Sequence, residues 1–164
     1  MGCMSAAHWK NPRRSWRYAY ASNVRPLQRA RNASPGLEPD VPAACDGCVR
    51  PMIELGLIGT CGIIELEVRY SARSHAEYEA VSRDRTLGYE WFPMPDEVWD
   101  RALEVQHALS ANGQLRSVRF PDLLIAATAE RHGLTVLHYA ADYDTIRTVT
   151  NQPTVWVVSQ GSVS

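Results

Sequence analysis

The stretch from Phe120 to Val158 constrains the fold more than any other part of the chain. Residues 122–132 are apolar on nearly every side of a helical projection, with Pro121 suited to the first turn and Gly133 placed to end the helix. A helix apolar all round must be covered on all sides. Leu134–His138 follows within a residue or two and reads as a strand, because αβ connections are usually that short. A loop from Ala140 to Asp144, a short helical pattern through Ile146, a turn at Asn151-Gln152-Pro153 and the apolar run Val155–Val158 complete the stretch. Alternating helices and strands imply an α/β domain, with a mostly parallel central sheet and helices on both faces.

The segments upstream fit that scheme from Arg50 onward. Pro51–Gly56 reads as a helix stopped by glycine, Leu57–Cys61 as a short strand, and Gly62–Ala72 as a second helix. In this second helix Ile63, Leu66 and Tyr70 define an apolar stripe that borders Glu67, while Glu65 is expected at the surface. Ser74 and Glu77 form a capping box for a polar helix to Arg85, and Tyr89–Phe92 is a strand closed by Pro93. Val98, Ala102, Val105 and Leu109 mark the clearest amphipathic helix, which stops at Asn112-Gly113.

Residues 1–49 have a different texture. Every charged residue up to position 37 is basic, and prolines recur without a sustained helical or strand period. Only Val24–Ala33 suggests a weak basic helix. The expectation is a disordered or misassigned arm over 1–49 and one domain over 50–164. Arginines with Trp9 and Trp16 leave open a nucleic-acid-binding arm. Cys45 and Cys48 form a CxxC, but no second CxxC or HxxxH completes a four-ligand zinc site, so ordinary thiols are expected. No apolar run approaches the ~18 residues of a membrane span, and a cytoplasmic location is the expectation.

Chemistry is most readily placed on three acids. Asp122 falls in the first turn of the buried helix, where the positive end of the helix dipole favours a negative charge. Asp142 follows the end of a strand, where ligands of open α/β sheets collect. Glu67 lies in a helix just after another short strand. Clustered carboxylates require a cation, and all-oxygen donors suit Mg²⁺ or Mn²⁺. Each acid also has a structural reading: a helix-terminus charge for Asp122, an N-cap for Asp142, and an ion pair with Arg69 or Arg73 for Glu67.

The quoted segments carry a resemblance. Phe120-Pro121-Asp122-Leu123-Leu124-Ile125-Ala126-Ala127, Gly133–Tyr139 and Asp142–Ile146 closely resemble the C-terminal half of PIN-domain ribonucleases, in particular the VapC toxins of bacterial toxin–antitoxin pairs. Glu67–Arg73 resembles the helix that carries that family's metal-binding glutamate. The resemblance implies a PIN-like fold and a Mg²⁺-dependent endoribonuclease, with Glu67, Asp122 and Asp142 as catalytic and metal-binding acids. It further implies an RNA substrate, a cognate antitoxin and a homodimer. Arg73, Arg116 and Arg119 are the candidates for RNA phosphates.

Two departures accompany it. The family opens with a strand ending in Asp-x-Ser-Ala, and residues 1–49 hold no such strand; Asp40 and Asp46 do not follow one. Ala140 stands where many members have an aspartate. The expectation is therefore a sheet whose first strand is missing or degraded, its neighbours left with unpaired backbone groups. A catalytically inactive relative that only binds an antitoxin or dimerises is the alternative function.

Overall fold

A computed structural model describes residues 18–21 and 49–157. The elements run β1 (Tyr18–Ala21), α1 (Val49–Glu54), β2 (Ile58–Thr60), α2 (Gly62–Tyr70), α3 (His75–Gly88) and β3 (Glu90–Trp91). They continue with α4 (Asp96–Ala111), α5 (Phe120–His132), β4 (Thr135–His138), α6 (Asp142–Arg147) and β5 (Thr154–Trp156). The five strands form one sheet in the order β3-β2-β1-β4-β5. β2 pairs parallel with β3, and β4 with β5. β1 is antiparallel to both β2 and β4, so the other four strands share one direction.

The central strand corrects one expectation. The neighbours of the first strand are not left unpaired, because Tyr18–Ala21 lies between them. Tyr18 is opposite His138, and Tyr20 faces Gly59 on one side and Val136 on the other. The segment runs antiparallel to both neighbours, where a parallel strand was expected, and it brings no carboxylate. The physical reason is the demand of β2 and β4 for hydrogen-bond partners, which any extended segment can meet in either direction. The remainder of the basic arm, including Trp9, Trp16, Val24–Ala33 and the Cys45–Cys48 pair, lies outside the described residues.

Along α4 the core forms where the periodicity places it. Val98, Ala102, Val105 and Leu109 of α4 are buried, in one cluster with Leu123–Ala127 and Ala129 of α5. Ile64, Val81, Val136, Tyr143 and Ile146 extend that cluster across α2, α3, β4 and α6. α5 ends in a Schellman arrangement. Gly133 takes a left-handed φ of 65°, its N–H donates to the Glu130 carbonyl, and the Leu134 N–H donates to the Ala129 carbonyl. Gly133→Ala is expected to lower stability by about 1 kcal/mol, since a Cβ disfavours this conformation. Urea denaturation with an unchanged slope checks it.

The face of α2 is a second correction. Ile64, Glu65 and Val68 are buried, whereas Leu66 and Tyr70 are 70% and 92% exposed. Glu65, expected at the surface, is held inside by three partners. Thr60 Oγ1 donates to its Oε1 at 2.7 Å, Arg85 Nε donates to the same oxygen at 2.8 Å, and Arg69 Nη2 donates to Oε2 at 3.0 Å. Burial pushes this carboxyl up, but the Arg85 charge and the hydrogen bonds from Thr60, Arg85 and Arg69 outweigh it and hold the group below its ordinary value. Among the described residues, no helix is long and apolar enough to cross a membrane.

Candidate active site

Two of the three acids meet at one arginine. Asp122 opens α5 and is fully buried, while Asp142 opens α6 and is partly exposed. Arg119, the residue before α5, places its Nε 3.5 Å from Asp122 Oδ2 and 3.6 Å from Asp142 Oδ2. Its backbone N–H also points to Asp142 Oδ2, at 3.5 Å. The two helix starts are thus joined through a single cation. Both carboxylates also lie at positive helix termini, although α6 is short. Asp142 sits inside the first turn rather than capping it, since Ala141 holds the N-cap position with no side-chain cap bond.

A buried aromatic group backs the pair. The Tyr143 hydroxyl donates to Asp122 Oδ1 at 3.3 Å from a fully buried ring. That ring lies 5.0 Å from His138, which is also 4.7 Å from Trp156. His138 Nδ1 is 2.9 Å from the Ala140 carbonyl, which can only accept, so this nitrogen carries the proton. Nε2 is buried without a hydrogen-bond partner. Burial pushes the His138 pKa down against the opposing effects of the Ala140 bond and Asp144, which favours a neutral ring. Trp156 Nε1 donates to Asp144 Oδ1 at 3.2 Å, so β5 is tied to α6 beside the acids.

The remaining candidates are surface residues. Glu67 is exposed on α2, and no group of three His, Cys, Asp or Glu among the described residues is arranged to hold a metal ion. Arg73 and Arg116 are exposed. The Arg73 N–H donates to Glu77 Oε2, which takes part in capping α3. Arg119, expected as a phosphate ligand, makes ion pairs with the two acids. Sequence reasoning missed Tyr143 as the partner of Asp122. Its signal was the Tyr143–Ile146 spacing, which puts both on the buried side of a short helix.

An oxygen-ligated divalent ion fits this pair on two counts. A guanidinium already stands in as the shared cation, and a fully buried carboxylate requires a compensating charge. Mg²⁺ is commonly held by one or two carboxylates while keeping several waters, so two acids suffice in number.

Comparison with known proteins agrees with the fold. The family model described as PIN domain matches residues 47–149. Ribonuclease VapC21 of Mycobacterium tuberculosis (strain ATCC 25618 / H37Rv) is 45% identical over 114 residues, 70% of this chain and 83% of the relative. Ribonuclease VapC51 of the same strain is 41% identical over 115 residues, 70% of this chain and 82% of the relative. Ribonuclease VapC18, also of that strain, is 41% identical over 108 residues, 65% of this chain and 78% of the relative. By the family match over residues 47–149 and the identity to these relatives, the chain belongs to the PIN-domain family, among its VapC-type toxin ribonucleases.

Proposed function

We propose that this chain is the toxin of a toxin–antitoxin pair, an endoribonuclease that hydrolyses RNA phosphodiester bonds with Mg²⁺ or Mn²⁺. The observation that carries the reading is the meeting of Asp122 and Asp142, from two separate helices, on one cationic group. These two acids would hold the ion, and Glu67 is the third acid the resemblance assigns to it. When bound, the ion supplies Lewis-acid polarisation of the phosphoryl group and a lowered pKa for an attacking water. The chain's own residues set the stage. Tyr143 fixes one oxygen of Asp122, and the buried α5 core keeps that helix start in place. Exposed Arg73 and Arg116 would take RNA phosphates, contacts that position the substrate without reading its sequence. A cytoplasmic location, a cognate antitoxin as inhibitor and a homodimer complete the proposal.

The test is cleavage of structured RNA by the purified full chain with Mg²⁺ or Mn²⁺. Cleavage is expected with either ion, to stop on addition of EDTA and to fall at least about tenfold in Asp142→Asn, by the scale on which groups around a metal act. No cleavage with either ion would overturn the enzyme. That outcome would favour the catalytically inactive relative, a reading supported by the lack of an acid in β1 and by Ala140.

A further inference from the structure

Arg119 holds a position that neither its charge nor its place beside α5 explains by RNA binding alone. Its Nε is nearly equidistant from Asp122 and Asp142, at 3.5 and 3.6 Å. The Asp122 side chain is fully buried, whereas the Arg119 side chain is 47% exposed. The fixed partner is therefore the acid, and the partner with room to leave is the cation. The backbone tie from the Arg119 N–H to Asp142 Oδ2 is independent of the side chain, so α5 and α6 stay linked if the guanidinium departs. Two carboxylates and one guanidinium leave a net charge of −1, which still attracts a cation of higher charge.

We infer that the Arg119 side chain is an internal counter-ion to Asp122 and Asp142 that a divalent cation must displace. The inference rests on the proposed metal site. Displacement costs the charge-assisted contacts that Arg119 makes with the two acids, so this chain's own arginine weakens its affinity for the ion. A displaced guanidinium stays beside the acids, where an RNA phosphate can take it bidentately. Phosphate binding removes the competitor, so RNA and the divalent ion each strengthen the binding of the other, by linkage. Arg119 is thus a positioning residue whose effect runs through Asp122 and Asp142.

Calorimetric titration of the full chain with Mg²⁺ or Mn²⁺ alone, without RNA, tests this. Arg119→Gln keeps the backbone N–H and removes the charge, and is expected to bind either ion roughly tenfold more tightly than the unsubstituted chain, as befits loss of a charged competitor. Equal or weaker binding by Arg119→Gln overturns the inference and leaves the nuclease reading intact. No binding of either ion by either protein overturns both. Should Arg119→Gln fail to fold, the unsubstituted protein still decides. The ¹⁵N-labelled Arg119 Nε resonance is expected to shift as Mg²⁺ saturates the site, and a resonance that does not move overturns the inference.

Discussion

Asp122→Asn is expected to lower RNA cleavage by at least about a hundredfold, the upper end of what losing a group that orients a metal's ligands costs, because a proposed ligand itself is removed. The fold should survive. Asparagine has the shape of aspartate, its carbonyl oxygen still accepts from the Tyr143 hydroxyl, and the surrounding α5 core from Leu123 to Ala127 is untouched. Arg119 keeps Asp142 as a partner and is half exposed, so its loss of one ion pair costs little. Removing one of two facing carboxylates also relieves their repulsion. A melting temperature within a few degrees of the unsubstituted protein is therefore the expected accompaniment. Undiminished cleavage would remove Asp122 from the site. A collapse of stability together with lost cleavage would show that Asp122 holds the helix start rather than the ion.

The sequence made some of this visible and hid the rest for identifiable reasons. The α4 face was legible because Val98, Ala102, Val105 and Leu109 repeat at helical spacing and all four are buried. The buried α5 was legible because a continuous apolar run of that length cannot be solvated. β1 was not, because Tyr18–Ala21 is four residues long, and its place is set by backbone groups of β2 and β4 far along the chain. α2 carries two overlapping apolar stripes, and period alone chose the wrong one. The right one contains Glu65, whose burial depends on Arg85 in another helix. Asp122 and Asp142 could be named from position, but their meeting at Arg119 is a tertiary fact. Only the i, i+3 relation of Arg119 to Asp122 was local.

The buried pair beneath α2 carries the largest stability effect. Arg85 and Glu65 are both nearly inaccessible, and Arg85 also lies 3.5 Å over the Tyr89 ring. Arg85→Met preserves much of the volume but leaves Glu65 with Thr60 and the more exposed Arg69. Removing one partner of a buried ion pair costs about 3–5 kcal/mol, and the remaining Arg69 places this case near the lower end, about 3 kcal/mol. That is a large share of the ~5–15 kcal/mol that holds a domain folded. The pH dependence fixes the cause. The folded-state pKa of Glu65 lies below its ordinary 4.5, so the stability it contributes is complete above that value and is lost as pH falls through the folded pKa. Without Arg85, burial acts with less opposition and the pKa rises, so protonation relieves the variant first. The stability gap between the two proteins should therefore be widest near neutrality and narrow on acidification toward about pH 4. Urea denaturation at both pH values measures it. A gap that does not change with pH would assign the loss to packing around Tyr89 instead. Because Glu67 lies two residues beyond Glu65 on the same helix, the same pair also steadies the turn of α2 that carries Glu67.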